Sequence, residues 1–157
     1  MADVLAKPAD EFNNDPTLEG LWVIKAVEHM QIHFNLICSI SPKMLKLTPK
    51  DDVVYKEFRK QFPDMSIEVI DVDQMKNSEA KEKWRPFCNM FRDEVEDFNY
   101  ATLLRLDAKK DYCDDNTLVV PRIQFLAIEV ARNREGLNDS IRENYSKSDK
   151  EKDRPDS

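Results

Sequence analysis

From Val23 the apolar residues recur as Val23, Val27, Met30, Phe34 and Ile37, in steps of four, three, four and three. That spacing places them on one face of a long helix. Asp15-Pro16 supplies its start, a carboxylate able to cap free amides followed by a proline preset for a first turn. Ser41-Pro42 marks its end, and Leu18, Leu21 and Trp22 extend the buried side. Thr48-Pro49-Lys50-Asp51 repeats the start logic, with an acid at the third helical position, before a second stripe of Val54, Tyr55, Phe58 and Phe62 that Pro63 closes. Ser66 to Asp71 alternates and is rich in branched residues, which predicts a short strand. Asn77 or Ser78 then opens a third helix carrying Trp84, Phe87, Cys88, Phe91 and Val95. Pro86 removes a backbone donor within it, so a kink or a fresh start is expected near Arg85.

Thr102 to Asp107 and Thr117 to Val120 read as two more strands, forming a hairpin around a polar loop from Ala108 to Asn116. Pro121 ends the second. Arg122 to Glu135 is helical, with Ile123, Leu126, Ala127 and Val130 on one face and Phe125 and Ile128 flanking it, so this helix is expected at the centre of the core. Gly136 stops it. Beyond Asn138 only Ile141 and Tyr145 interrupt a charged stretch that buries too little surface to offset its ordering entropy. The elements predict an α+β fold: a helix-rich single domain with a small two- or three-stranded sheet. A flexible lead-in covers 1–13, the globular domain 14–137, and a charged, largely disordered C-terminal tail 138–157.

Composition narrows the function classes. A chain of 157 residues with 41% hydrophobic content builds one sizeable core. Its two glycines, Gly20 and Gly136, are too few for the loops that cradle phosphates in nucleotide-binding folds. The formal net charge of -7 opposes nucleic acid and anionic membrane as partners, so neither DNA binding nor membrane association is expected. Cys38, Cys88 and Cys113 are widely spaced with no C-x-x-C, which fits a reducing cytosol or nucleus. No apolar run is long enough for a secretory or membrane-spanning segment.

Candidate chemistry is sparse. His29 and His33 lie four apart on a helix, as in zinc proteases, but the run His-Met-Gln-Ile-His lacks the glutamate such a site uses as general base, and no third ligand follows from spacing. Both read as polar positions flanking the apolar stripe, and no metal is expected. Cys38 and Cys88 sit in apolar stripes, where a thiol packs as a small hydrophobe. Cys113 has Asp111, Asp114 and Asp115 beside it, which disfavour a thiolate. The pairs Asp51-Asp52, Glu94/Glu96/Asp97 and Asp114-Asp115 read as solvated charge. No catalytic residue and no cofactor is expected.

More informative are arginines placed beside aromatics and strand residues: Trp84-Arg85, Arg105 within the first hairpin strand, and Arg122, Arg132 and Arg134 on the last helix. Trp and Arg are enriched at binding hot spots because they combine planar apolar contact with directed hydrogen bonds. The competing reading is intramolecular, with Arg105 pairing Asp97 or Asp107 and Arg122 a neighbouring acid.

These segments carry a resemblance. Lys81-Glu82-Lys83-Trp84-Arg85-Pro86-Phe87-Cys88, Val95 to Tyr100, Thr102 to Asp107, Pro121 to Phe125 and Glu129 to Gly136 resemble blocks of the eukaryotic polysaccharide biosynthesis domain-containing protein family. Asn14-Asp15-Pro16, Leu45 to Thr48 and Tyr55-x-x-Phe58-Arg59-Lys60 fit as well, so the resemblance runs from Asn14 to Gly136. It departs at Ala101, where a glycine is usual, and at Asp114-Asp115, where glutamates are. The resemblance implies a cytoplasmic, non-enzymatic chaperone that engages the GTP-binding domain of newly made translation elongation factor one-alpha, with ribosome-associated factors as further partners. The expected contact face is Trp84, Arg85, Arg105, Arg122 and Arg134. The family name also suggests a rival, an enzyme of glycan or methyl transfer; a ribosome-associated scaffold is a third reading.

Overall fold

The computed structural model describes residues 16–141, 143 and 144, with side chains from residue 23 onward. The expected cap at Asp15, the burial of Leu18, Leu21 and Trp22, and the lead-in therefore lie outside the described residues.

Helix α1 (Pro16–Ser39) is the long first helix, and a 3-10 turn (Pro42–Met44) follows it. Helix α2 (Asp51–Gln61) begins two residues later than the proline suggests. The reason is Asp51, whose carboxylate reaches back to accept the amides of Leu47 and Thr48, both at 2.9 Å. Short α3 (Asp73–Lys76) leads into α4 (Ser78–Met90), where the Asn77 side chain caps the helix by accepting the Ala80 amide at 2.7 Å. Helix α4 continues through Pro86 without a break, and Ala80, Trp84 and Phe87 point inward at helical spacing.

The sheet has two strands. β1 (Ala101–Arg105) and β2 (Thr117–Pro121) pair antiparallel, with Leu103 opposite Val119. The expected strand at Ser66 to Asp71 is reduced to an isolated bridge between Val69 and Asp107, with Ile70 N–H on Leu106 C=O and Ala108 N–H on Glu68 C=O, both at 2.8 Å. Its alternation is real, since Ile67 and Ile70 are buried and Val69 is exposed, but the neighbouring chain offers it no longer extended run. The hairpin loop is braced from inside by Asn116, which accepts the Asp107 amide and donates to the carbonyls of Asp107 and Asp111.

Helix α5 (Arg122–Arg134) follows β2 without a loop. Its first amides are taken by the carbonyls of Tyr100 (2.7 Å) and Phe98 (2.8 Å) in the turn before β1. Every residue from Ile123 to Asn133 is buried, so α5 is enclosed on all sides. Val54, Phe58, Trp84, Phe87, Leu104 and Val120 pack around it in the main core.

Gly136 ends α5 at φ +82°, with Leu137 N–H bonded back to Arg132 C=O at 2.9 Å. Here the expected domain boundary is corrected. Asn138 and Ile141 are fully buried, residues 139–141, 143 and 144 are helical, and Ile141 packs with Ile37 and Cys38 of α1. A segment polar in sequence is held because Asn138 bonds to Arg105, Glu129 and Asn133 while Ile141 packs against α1. The rest of the expected tail, from 145, lies outside the described residues.

If 138–144 is part of the domain, Ile141→Ala should lower unfolding free energy by about 2–5 kcal/mol in urea titrations. A change within about 0.5 kcal/mol would return the segment to a dispensable tail.

Candidate functional site

The most concentrated polar chemistry converges on one carboxylate. Glu129, in the middle of α5, has no solvent exposure, and neither do Arg105 and Arg132. From β1, Arg105 donates through Nη2 to both Glu129 oxygens at 3.1 Å. It also donates to the carbonyl of Ala108 at 2.8 Å and to Asn138 Oδ1 at 2.7 Å. Arg132 lies 3.5 Å from Glu129 and gives its other donors to the carbonyls of Ile67 (2.8 Å) and Leu106 (3.0 Å). Asn138 completes the ring, donating to Glu129 and Asn133.

Helix α1 contributes His33, 2% exposed. Its Nδ1 sits 2.9 Å from the Tyr112 hydroxyl, and its Nε2 is 3.9 Å from Glu129, beyond hydrogen-bond range. Expected as a polar position flanking the stripe, His33 lies instead within the buried line of α1. The buried line of α1 runs through Ala26, His33 and Ile37, while Val23 is 44% exposed. Burial pushes the His33 pKa down to about 4, with Glu129 opposing and Arg105 reinforcing the shift. For Glu129 burial raises the pKa, but Arg105, Arg132 and His33 together outweigh it and hold the carboxyl at about 2. The cluster is thus a charged, closed structural network, ill-suited to proton transfer near neutral pH.

The arginine and tryptophan positions singled out from sequence divide between interior and surface. Trp84 is 1% exposed: it stacks on Phe62 with ring centroids 4.3 Å apart and donates through Nε1 to Gln74 C=O at 3.1 Å. Arg105 is consumed by Glu129, not by Asp97 or Asp107. Neither can form part of an exposed face, which corrects the expected surface for these two. Arg85 is exposed on α4. Arg134 is exposed, pairs with Asp52 and lies over the Tyr55 ring at 5.4 Å. Arg122 is half-buried, and its Nε is shielded from solvent with no hydrogen-bond partner among the described residues. Of the cysteines, Cys38 is buried, Cys113 is exposed, and burial pushes the half-buried Cys88 thiol up to about 12.

Two concavities accompany these side chains. The larger, about 780 Å³, lies between the C-terminal end of α2, the 63–65 connection, residues 71–74 and the start of α4. Phe62, Met65 and Ala80 give it apolar walls, with Phe62 backed by the Trp84 stack. Asp64, Asp71, Asp73 and Glu79 stand around it against one cation, Lys83. The smaller, about 120 Å³, lies between α1 and α5, where His29, His33 and Arg122 meet. Neither concavity was readable from sequence, although the carboxylate-rich run Asp71-Val72-Asp73 before a capped helix was a usable signal. Among the described residues no group of histidine, cysteine and carboxylate side chains is placed to hold a metal ion. No described helix is long and apolar enough to cross a membrane.

A family model for PBDC1 protein matches residues 18–143, a range that includes the buried Asn138 and Ile141. The chain belongs to the PBDC1 family. It is 50% identical over 141 residues to Protein PBDC1 of Homo sapiens, covering 90% of this chain and 60% of that protein. The PBDC1 homolog of Saccharomyces cerevisiae is 37% identical over 137 residues, covering 85% of this chain and 94% of its own length. A solution NMR structure of a Saccharomyces cerevisiae protein matches with a TM-score of 0.76 at 37% identity, covering 86% of this chain and 95% of that one. The chain thus spans 60% of the human PBDC1 protein but nearly all of the yeast homolog.

Two outcomes test the cluster. Glu129→Gln leaves two buried guanidinium groups without their counter-charge and should cost about 3–5 kcal/mol in denaturant titrations. His33 is held below its ordinary 6.5 in the folded state, so the unfolded chain binds the extra proton as pH falls from 6.5 towards 4. Its contribution is complete above pH 6.5 and is lost across that window, on the order of 3 kcal/mol by pH 4. Glu129 acts only below its ordinary 4.5, so the window from 6.5 to 5 reports the histidines, His29 shifting in the same direction through burial and Arg122. His33→Gln should flatten the fall in stability measured there; an unchanged slope would contradict the buried neutral histidine.

Proposed function

We propose that this domain is a non-enzymatic, protein-binding chaperone of the cytoplasm. In this reading it holds the GTP-binding domain of newly made translation elongation factor one-alpha until folding buries the segment it grips. The observation that carries the reading is the 780 Å³ cleft, with apolar walls from Phe62, Met65 and Ala80 and with Asp64, Asp71, Asp73 and Glu79 around them. An incompletely folded chain presents apolar side chains interspersed with lysine and arginine. The walls accept the first, and four carboxylates facing a single lysine favour the second. Preference for the immature state makes release automatic, because folding of the client withdraws the ligand.

The buried network supports the same reading from the other side. The side chains best equipped for acid–base work, Glu129 and His33, are enclosed and held far from neutral pKa values. Exposed Arg85 and Arg134 remain candidates for a second contact.

Capture of labelled elongation factor one-alpha from a translating lysate tests this. Asp64→Lys with Asp73→Lys should weaken capture on the order of tenfold while the thermal midpoint stays unchanged. Loss of capture only in Arg85→Ala with Arg134→Ala would move the contact to the arginine surface. No capture by the unaltered protein would overturn the function itself.

A further inference from the structure

The geometry points to a second site: the cavity between α1 and α5 binds a phosphate-sized oxyanion. Its lining is His29, Ile32, His33 and Leu36 from α1, Lys46 and Leu47 from the following segment, and Arg122, Phe125 and Leu126 from α5. Every polar side chain in that set carries nitrogen, and none is a carboxylate. The site is distinct from the carboxylate-rimmed cleft, with which it shares no lining residue.

Two buried nitrogens here have no hydrogen-bond partner among the described residues, Arg122 Nε and His29 Nδ1, while His33 Nε2 is 3.9 Å from the Glu129 carboxylate. An Arg Nε always carries a hydrogen, so its burial without an acceptor leaves a charged donor unsatisfied. His33 is itself 2% exposed and its ring forms part of the wall. The Arg122 backbone is fixed by its amide, which donates to Tyr100 C=O at 2.7 Å and so places the residue at the first turn of α5. The positive end of that helix adds to the field. Exposed Ile32 and Lys46 stand where solvent reaches the cavity.

Size and charge agree. A volume of 120 Å³ corresponds to about four waters at roughly 30 Å³ each, enough to admit a five-atom oxyanion together with water. Two acids reach the lining: Asp52 acts on Lys46, and Glu129 lies 3.9 Å from His33 Nε2 with its charge already shared by Arg105 and Arg132. That leaves Arg122 and Lys46 as cations without a carboxylate in the cavity wall. The Arg122 charge is close enough to help depress His29, an effect that a bound anion would reverse.

The test is NMR of the histidine ring signals in the full chain, titrated with inorganic phosphate against chloride at constant ionic strength. Saturable shifts at His29, a His29 titration midpoint raised by phosphate, and at least tenfold weaker binding in Arg122→Gln are expected. Should Arg122→Gln fail to fold, Ile32→Glu alters an exposed residue and places a competing carboxylate at the mouth, with the same loss expected. Saturation by acetate at comparable concentration would identify a carboxylate as the natural occupant; saturation by phosphate alone would identify a phosphate group. Shifts that are absent, or linear and equal in the variants, would show that the cavity holds only water and overturn the site.

Discussion

A carboxylate cannot remain ionised in a protein interior unless its lost hydration is replaced, and Glu129 makes this requirement the organising constraint of the fold. Its replacements come from separate parts of the chain: Arg105 from β1, Arg132 from its own helix, Asn138 from beyond Gly136, and His33 from α1 at slightly longer range. The two guanidinium groups then extend the constraint outward, to the carbonyls of Ala108, Ile67 and Leu106. The segment before α3, which pairs with its neighbour through only one bridge, is thus held chiefly by Arg132 and by the burial of Ile67 and Ile70. A buried ion network of this kind gives less net stability than an apolar core of equal volume. What it supplies is specificity, because any arrangement that misplaces one partner strands the others.

That dependence explains what could and could not be read from sequence. The helices were legible because helical periodicity is local: Val54, Phe58 and Phe62 announce α2, and Trp84, Phe87 and Cys88 announce α4. Caps were legible for the same reason, Asn77 at the start of α4 and Gly136 at the end of α5. The errors at the buried network involve partners far apart in the chain, whereas the third helix, expected to carry Phe91 and Val95, ends locally at Met90. His33 read only as a polar position flanking the stripe because its partners are Tyr112, 79 residues away, and Glu129. Arg105 and Trp84 looked like contact residues because residue type alone does not separate a hot spot from a core anchor. Asn138 and Ile141 looked like tail because two buried side chains in a polar run produce no periodic signal. One clue was present: Glu129 stands between Ile128 and Val130 in a helix with apolar residues all round, with Arg132 one turn on. A carboxylate enclosed on both sides by apolar residues signals a buried counter-charge.

The same division shapes the surface. The enclosed cations Arg105 and Arg132 are matched by the enclosed carboxylates Asp51 and Glu129, so the exterior keeps the acidic balance of the whole chain. The 780 Å³ cleft is where that acidity meets exposed apolar wall, and its form is set from behind. Phe58 and Phe62 both stack on Trp84, with centroids 5.7 Å and 4.3 Å away, and Trp84 ties the chain before α4 in place through Gln74. The wall of the cleft is therefore the outer layer of the core, whereas its carboxylates project from the rim.

This arrangement separates two properties that are often confounded at a binding surface. A change in the aromatic stack alters packing and cleft shape together, so its effect on capture cannot be distinguished from its effect on stability. A change at Asp64, Asp73 or Glu79 alters exposed charge with little effect on packing. Contact made mainly through the apolar wall would tolerate salt and depend on the core's integrity; contact made through the rim would weaken with ionic strength while the fold persists. Under the proposed chaperone function, a client that buries its apolar residues as it matures would lose the wall contact while the rim contact remains. A charge contact of that kind favours rapid encounter over prolonged retention.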